Sequence, residues 1–465
     1  MHFLVAFFFL FPGAGPGAPA GKAARTAESP PSHDRVMAAL RADGLARLGA
    51  FDFLSGILSC GPRPAGSDNA ARAVEKTRSV MQEIGLADVH LEEVTVTLWE
   101  RGPGSAAAVL ADGTEEPLAA AALGSSVPTP DGGITAPVVE VRSLEEARAL
   151  GEKGRGRIVF FNRAMPTDVL DTFEAYGKAA DQRAHGASAA AASGAVAVLV
   201  RSMTLRVSDL SHTGIMAYDE GVPRIPAAAI STAAADRLSS LLAQGAEVRV
   251  RLELGCRTVG PVTSHNVVGD LRGRELPAEV VVLGGHLDSW DLGPGAHDDG
   301  AGCAQSLEAL RLLAALPTPP RRTIRAVMFM DEESGGTGGK AYASNPKRKS
   351  EKHVAAIESD RGGFLPLGFT VLADEPTIAA FNRWLPLLKD LGVTFIRKGY
   401  GGVDIHPLVE SGCVTIGLYP DSQRYFDVHH CAADTLDTVN ERELELGAIQ
   451  MAGLAWLIAE EGIPR

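Results

Sequence analysis

The sequence contains few cysteines, few aromatic residues and no excess of positive charge. The aromatic fraction is 6% and the formal net charge is −13 at pH 7, which argues against nucleic acid as a partner. The cysteines lie far apart and form no CxxC pair, which excludes a disulfide framework and a structural zinc knuckle. One disulfide between unassigned partners stays open. The five cysteines are Cys60, Cys256, Cys303, Cys413 and Cys431.

Three catalytic signatures are also missing from the sequence. The absence of HExxH excludes a helical single-zinc protease, and the absence of GxSxG argues against a serine hydrolase. The segment Gly335 to Lys340 is rich in glycine, but Ser334 replaces the first glycine of a P-loop and Ala341 its Ser/Thr. We therefore expect a loop beside a site rather than a nucleotide cradle.

The apolar run from Phe3 to Phe11 is about half of the roughly 20 residues that a membrane span needs. Pro12 ends the run, and Ala18 to Ala20 forms an A-x-A pattern. These features predict a secretory signal over residues 1–20 and an exported protein, periplasmic or secreted, without a stable membrane anchor. The alternative is a disordered apolar terminus, because His2 is the one candidate for a basic n-region.

The length of 465 residues exceeds one ordinary core and predicts two domains. Residues 21–35 are rich in Ala, Pro and Ser and are predicted to be a disordered segment or a pro-segment. Residues 36–104 begin the main domain. Residues 105–255 are rich in Ala, Gly and Val and contain few metal-ligand candidates, which indicates an inserted domain or lid. Residues 256–465 complete the main domain.

Strands and helices alternate from Ser264 onward, which is typical of an α/β domain with a mainly parallel sheet flanked by helices. Before that point, residues 35–86 have a helical pattern with a turn at 61–66, and His90 to Glu100 alternates as a strand does. The predicted strands are Asn266 to Val268, Val280 to Leu283, Thr323 to Met330, Val354 to Glu358 and Val414 to Leu418. The predicted helices include Ala301 to Leu316, Ile378 to Leu391 and Glu443 to Ala459.

Five acidic or histidine clusters follow these strands. Because ligands bind at the carboxyl ends of the strands in an open α/β sheet, we expect the clusters to share one edge. Each cluster alone has an ordinary explanation, such as a helix cap, a turn or a solvated pair. Together they predict a metal site. The clusters are His286 with Asp288, Asp298 with Asp299, Asp331 with Glu332 and Glu333, Asp360, and His429 with His430 and Asp434.

The residue types in these clusters suit two zinc ions. Zinc takes imidazole nitrogen and carboxylate oxygen as ligands. Two metals roughly 3.5–4 Å apart need a shared bridging carboxylate and terminal ligands on each side. One histidine and one carboxylate per metal, plus the bridge, make five ligands, and a further carboxylate must take a proton from water. The clusters therefore predict a two-metal hydrolase.

The motifs of the chain resemble those of the di-zinc aminopeptidase and glutamate carboxypeptidase family, and one carboxypeptidase branch of it in particular. His286 and Asp298 are twelve positions apart, as in that family. The resemblance covers nearly the whole chain after the signal. The matching motifs are GPRPAGS at 61–67, VHLEEV at 89–94, WERG at 99–102, HTGIMAYDEGVPRIP at 212–226, GGHLDSWDLGPGAHDDG at 284–300, EES at 332–334, ESD at 358–360 and FDVHHCAADT at 426–435.

The resemblance implies a fold and a set of metal ligands. The fold is a mixed, mainly parallel sheet of the zinc-peptidase, phosphorylase/hydrolase-like type, with residues 105–255 as an inserted protease-associated α/β domain. Asp298 is implied to bridge two Zn²⁺ ions. His286 and Asp360 would complete one site, and Glu333 and His430 the other.

Further roles follow from the same resemblance. Glu332 is the implied general base. Many family members carry a tyrosine before the last histidine that stabilises the oxyanion, and His429 takes that position here. Asp288 and Asp434 are implied to orient the first and the last histidine ligand from outside the metal shell. Asp404 matches a position near the substrate.

We therefore predict an exported di-zinc exopeptidase that hydrolyses dipeptides or short peptides in the manner of a carboxypeptidase or dipeptidase. An aminopeptidase with the same metal site is the first alternative. A non-catalytic binding protein on this fold is the second, and it would be expected to have lost ligands. The resemblance also implies a homodimer.

Overall fold

The computed structural model describes residues 32–245 and 247–463. The predicted signal over residues 1–20 and most of the predicted segment 21–35 lie outside these ranges. In the described part of the chain, no helix is both long and apolar enough to cross a membrane.

Thirteen α-helices occur in the described residues. Local sequence explains their ends: the Ser67 side chain caps α3 by accepting from the amide of Ala70, and Gly85 ends it at φ 86°. The first helix begins at His33 rather than near Arg35. The helices are α1 His33–Arg47, α2 Gly49–Leu58, α3 Asp68–Ile84, α4 Leu144–Ala149, α5 Thr172–Gly177, α6 Asp181–Ala191, α7 Thr232–Ala243, α8 Ala301–Ala314, α9 Thr337–Ser344, α10 Glu375–Asn382, α11 Leu385–Leu388, α12 Tyr425–Val428 and α13 Glu441–Glu461.

Sixteen strands form two eight-stranded sheets in the same residues. The main sheet has the order β1-β10-β12-β11-β13-β16-β14-β15, and the second has the order β3-β2-β9-β5-β6-β7-β8-β4. The strands are β1 Ala87–Glu100, β2 Gly104–Val109, β3 Glu115–Leu118, β4 Ala120–Ala122, β5 Ile134–Val141, β6 Ile158–Phe161, β7 Ala197–Arg201, β8 Ala227–Ile230, β9 Arg249–Leu254, β10 Arg257–Leu271, β11 Leu276–His286, β12 Arg322–Phe329, β13 Lys352–Glu358, β14 Pro366–Leu372, β15 Phe395–Lys398 and β16 Val414–Pro420.

The centre of the main sheet is parallel: β12, β11, β13 and β16 all run in one direction. Their residues are buried on both faces, as is usual for parallel strands between helices. Val281 and Leu283 of β11 belong to the core that includes Leu310 of α8 and Trp456 of α13. Val280 and Val282 face a separate core on the other side. The predicted α/β class with a mixed, mainly parallel sheet is confirmed.

The second sheet is built from residues 104–254 and has its own cores. The sequence of this segment predicts short strands over 157–161 and 195–200 and an alanine-rich helix over 181–192, and β6, β7 and α6 occur there. The segment is rich in alanine because small side chains on α6 and β8 let the helix and the sheet approach closely. Its interpretation as an inserted protease-associated domain over 105–255 stays a prediction.

Two elements differ from the sequence prediction. The predicted helix over 378–391 is interrupted: α10 ends at Asn382, and α11 begins at Leu385. Pro386 explains the break, because its ring excludes the helical carbonyl four residues earlier, that of Asn382. Strand β10 extends well before Asn266, and its first half pairs with β1 alone. Pro261 is tolerated there because that half has a free edge.

Candidate metal centre

The carboxyl ends of the parallel strands bring the predicted residues together. His286 is the last residue of β11, Glu333 follows β12, and Asp360 follows β13. Asp298 lies in the turn that leads into α8, and His430 follows α12. Strands that run in one direction end at one edge, so side chains far apart in sequence meet there.

Asp298 lies between the two histidines. Its Oδ1 is 3.3 Å from Nε2 of His286, and its Oδ2 is 3.1 Å from Nε2 of His430. On the outer sides, Asp360 Oδ1 is 3.4 Å from His286 Nε2, and Glu333 Oε2 is 3.0 Å from His430 Nε2. The arrangement has one carboxylate shared by two histidine–carboxylate pairs.

Several atoms in this cluster are suited to bind a cation. Three buried atoms form no hydrogen bond of acceptable distance and angle with any described residue: His286 Nε2, Asp298 Oδ2 and Glu333 Oε1. Such orphaned groups are costly unless another partner is present. Imidazole nitrogens and carboxylate oxygens are zinc donors, so the residues fit the predicted ion.

The pKa values of the clustered groups depend on burial and on their charged neighbours. Burial opposes ionisation of Asp298, yet His286 and His430 hold the pKa of this carboxyl well below its usual range. Burial would also lower the pKa of each histidine, but the neighbouring carboxylates raise both values well above normal. For Glu333, burial and then Asp298 raise the pKa. The opposite charges of Asp298 and the two histidines therefore stabilise one another at close range.

Neither Glu332 nor His429 is a predicted ligand. Glu332 lies beside the cluster, whereas His429 lies close enough to Asp298 and His430 to belong to a potential ligand set. Burial, followed by repulsion from Asp360, raises the pKa of Glu332 well above its usual range. Burial and then the positive charge of His430 lower the pKa of His429 well below its usual range. The rings of His429 and His430 stack with centroids 3.5 Å apart, and His429 Nε2 is 3.6 Å from Asp298 Oδ2.

Asp288 acts differently from the prediction that its carboxylate orients His286. The main-chain carbonyl of Asp288 lies 3.1 Å from His286 Nδ1, whereas the nearest carboxylate oxygen is 3.7 Å away. The carboxylate instead accepts from the amides of Asp331, Glu332 and Glu333, at 2.7, 3.2 and 3.4 Å. Asp288 therefore fixes the loop that carries the predicted base.

Asp434 also has other partners than predicted. Its two carboxylate oxygens accept from the amides of His297 and Asp298, at 2.7 and 3.1 Å, and thereby position the shared carboxylate. The predicted partner, His430, instead has its Nδ1 3.2 Å from the carbonyl oxygen of Thr213. Asp434 thus lies near His430 in the sequence, but its carboxylate positions Asp298.

Asp299 behaves as a structural residue, as the cap explanation predicts. Its carboxylate accepts from the amide of His286 at 3.0 Å and from that of Gly302 at 2.9 Å. It also lies close enough to His286 and Asp360 to belong to a potential ligand set. Together, these two hydrogen bonds connect the end of β11 to the start of α8.

Asp404 does not face the open part of the site. It is 1% exposed, and neither carboxylate oxygen has a hydrogen-bond partner. Burial and then the neighbouring Glu358 raise its pKa well above the usual range. Gly402 and Val403 of the same loop line the cavity beside the cluster, and Asp404 does not. Its contact with substrate therefore stays a prediction without support from its position.

Three functional contacts were missed from the sequence. Arg63 is fully buried and donates to the carbonyls of Leu287, Pro294 and Gly295, which fixes the loop between the first histidine and the shared carboxylate. Its place between two prolines in GPRPAGS was the available signal. His212 Nδ1 lies 2.7 Å from the carbonyl oxygen of His429, and the Thr213 carbonyl lies 3.2 Å from His430 Nδ1. Both residues begin the motif at 212–226, which was the available signal.

The cluster opens into a cavity of about 300 Å³. Aromatic side chains form much of its wall, including Phe173, Tyr176, Tyr400, Tyr425 and Phe426. A second cavity of about 620 Å³ lies beyond Glu333 and Ile215, which line both. The site is thus a concave, partly apolar space with a small number of polar groups, as is typical of small-ligand sites.

All five cysteines are buried and none is in a disulfide. Cys431, beside His430, is 1% exposed and its Sγ contacts the carbonyl oxygen of Val428 at 3.2 Å. It fills space in the core.

Comparison with known proteins identifies the class. The sequence pattern of peptidase family M28 matches residues 266–454. The chain is 36% identical to carboxypeptidase Q from Mus musculus over 407 residues, 87% of this chain and 84% of that protein. The chain therefore belongs to peptidase family M28 and is a zinc-dependent peptidase. Its likeness to carboxypeptidase Q, which is 35% identical in the Homo sapiens protein, confirms the predicted branch.

Solved structures agree with the fold. The chain superposes on a peptidase M28 precursor from Shewanella amazonensis SB2B with a TM-score of 0.88 at 34% identity, over 93% of this chain and 98% of that one. It also matches BSAP, a zinc aminopeptidase from Bacillus subtilis, with a TM-score of 0.63 at 19% identity, over 89% and 95% of the two chains. The latter likeness shows the fold alone.

Proposed function

We propose that the chain is a di-zinc exopeptidase that hydrolyses dipeptides or short peptides in the manner of a carboxypeptidase or dipeptidase. The observation that carries the proposal is Asp298, whose two oxygens each lie near a different histidine, with a further carboxylate beyond each. His286 and Asp360 would hold one zinc, Glu333 and His430 the other, and Asp298 would bridge them.

Zinc, when bound, supplies a Lewis acid that polarises the peptide carbonyl and lowers the pKa of water. Glu332 is the residue free to take the proton from the attacking water and to pass it to the leaving amine. His429 would donate a hydrogen bond to the carbonyl oxygen as negative charge develops there.

The test is Glu332→Gln, assayed with a dipeptide panel after its zinc content has been measured. The amide has nearly the same shape as the carboxylate but accepts no proton, so we expect two zinc ions per chain and a loss of turnover of roughly 10²–10⁴-fold. Exposed Glu410 provides the matched control as Glu410→Gln. Full turnover by a Glu332→Gln protein that holds two zinc ions would show that another group is the base.

Which peptide terminus is bound separates the proposal from an aminopeptidase. A free dipeptide and a peptide with a blocked C-terminus, assayed side by side on the zinc-loaded protein, distinguish the two. Export, a homodimer and a protease-associated insert over 105–255 complete the proposal. The mass of the mature chain and its size in solution test the first two.

A further inference from the structure

Two arginines line the cavity beside the metal centre without an acidic partner. Arg361 follows Asp360 directly and is partly exposed, and among the described residues it has ring contacts but no ion pair. Arg183 is 8% exposed, and its one hydrogen bond within residues 32–245 and 247–463, to the carbonyl of Thr213, is 3.4 Å long. In these same ranges its buried Nε has no hydrogen-bond partner. A buried guanidinium with so few partners is costly unless an anion joins it.

Aromatic rings hold both guanidinium groups in place. The Cζ of Arg361 is 5.2 Å from the ring centre of Phe173, and that of Arg183 is 5.5 Å from the ring centre of Tyr176. These rings lie three positions apart on α5 and therefore on one face of it. A ring contact does not require a guanidinium N–H as hydrogen-bond donor, so the remaining donors of both side chains are available for a planar anion.

The acids of the same cavity are already committed. Asp298, Asp360 and Glu333 would hold the zinc ions, and Glu332 is the proposed base. The carboxylate of Glu358 accepts from two main-chain amides, each at 3.0 Å. A substrate ammonium would thus meet no uncommitted carboxylate among these groups, whereas a substrate carboxylate would meet two arginines.

We propose that Arg361 and Arg183 bind a free carboxylate of the substrate. This rests on the proposed function and makes it more specific: the site takes peptides by a carboxylate rather than by the α-amino group. The shared chemistry is a carboxylate, and the C-terminal group or an acidic side chain could supply it. Arginine suits both because it can form paired hydrogen bonds to the two oxygens.

Equilibrium binding tests this without turnover. The zinc-loaded Glu332→Gln protein is titrated calorimetrically with Ala-Ala, with Ala-Ala amide, and with Ala-Glu whose α-carboxylate is amidated. We expect Ala-Ala to bind at least about tenfold more tightly than its amide, since a charge-assisted pair is lost. Tight binding of the third ligand would assign the side-chain carboxylate as the source, and weak binding the α-carboxylate.

Variants then locate the contact. Added to Glu332→Gln, Arg361→Met and Arg183→Met should each weaken Ala-Ala about tenfold and the amide less than about twofold, and Arg361→Lys should recover part of the loss. Arg397→Met is the matched control, because Arg397 also contacts the Tyr419 ring, at 4.6 Å against 4.9 Å for Arg361, and does not line the cavity.

Three results would overturn the inference: equal binding of all three ligands, a preference for a ligand with a carboxylate that survives both arginine changes, or no binding of any ligand. The first of these needs no arginine variant, so it decides even if those proteins fail to fold. Hydrolysis of the same peptides by the unaltered enzyme is measured separately. Its absence would contradict the proposed function and leave the binding result to judge the arginines.

Discussion

The two halves of the candidate metal centre are supported by different parts of the molecule. On the His286 side, the supporting groups are close in the chain: the carbonyl of Asp288, two positions away, and the carboxylate of Asp299, 13 positions away. On the His430 side, the carbonyl of Thr213 is 217 positions away. Thr213 belongs to residues 104–254, which build the second sheet and form the second-sheet segment.

This difference teaches that the second-sheet segment is part of the site. Thr213 donates its amide to the carbonyl of His430 at 2.9 Å, and His212 contacts the carbonyl of His429. Groups that orient a histidine ligand commonly change metal affinity by about 10–100-fold when they are removed. The His286 half should therefore survive changes in the second-sheet segment that weaken the His430 half.

Loss of Asp298 should impair zinc binding in both halves of the site. Asp298→Ala removes the carboxylate whose two oxygens lie near different histidines, and we expect kcat/KM to fall by about a thousandfold, equivalent to about 4 kcal/mol, with loss of both zinc ions. His286→Ala and His430→Ala are the comparison, since each should lose chiefly one zinc. Metal analysis of the purified proteins checks this; an Asp298→Ala protein with one tightly held zinc would contradict it.

Acid should weaken both halves together by acting on the framework. His353 is buried, and burial followed by the charge of Arg325 lowers its pKa to about 4. The unfolded chain binds the proton at about pH 6.5, so the stability from this group is complete above pH 6.5 and is lost as pH falls to 4. The size is about 3 kcal/mol.

His353→Gln removes this titration and should flatten the fall of the unfolding midpoint between pH 6.5 and pH 4. Exposed His185→Gln is the control and should leave the slope unchanged. Denaturant titrations at several pH values give the comparison. Equal slopes for His353→Gln and the unaltered protein would be the contrary result.

His212 offers the most direct way to separate the halves. His212→Leu removes the contact with the His429 carbonyl, and we expect zinc affinity on the His430 side to fall about tenfold while the other side is unchanged. His212→Asn retains a donor near the Nδ1 position and should recover most of the affinity. Competition with a zinc chelator resolves the two sites. Equal losses in both variants would count against a hydrogen-bonding role.

Asp299→Ala should give the smallest effect, on the opposite half. It leaves the amides of His286 and Gly302 without their acceptor, which costs about 1–2 kcal/mol for a lost cap. A lower unfolding midpoint and weaker zinc binding on the His286 side are expected. Greater weakening on the His430 side would reverse the comparison.

The site shows where sequence reasoning succeeds and where it stops. Strand ends could be predicted from the apolar runs, so His286, Glu333 and Asp360 were expected at one edge, and the structure places them there. The roles of Asp288 and Asp434 as residues that orient a histidine were implied by the family resemblance. Their carboxylates instead bind main-chain amides, which a pattern of side chains does not reveal.

In the fold, too, elements with a clear sequence pattern could be predicted, whereas features that depend on a partner strand could not. The buried strands could be predicted because their apolar runs are continuous, as parallel strands between helices require. The break at Pro386 was overlooked although its cause is local. The length of β10 depended on its partner β1, since a strand with one neighbour tolerates the glycine and proline that a central strand excludes.

The sequence by itself determined the α/β class, the order of the strands along the chain and the residues fit to bind zinc, because these depend on periodicity and on chemical type. Only the tertiary structure decided what holds each ligand in place. Thr213 reaches His430, and Arg361 and Arg183 share a cavity, through contacts between segments far apart in the chain. Local sequence carries no record of such contacts, since packing and strand order bring the segments together.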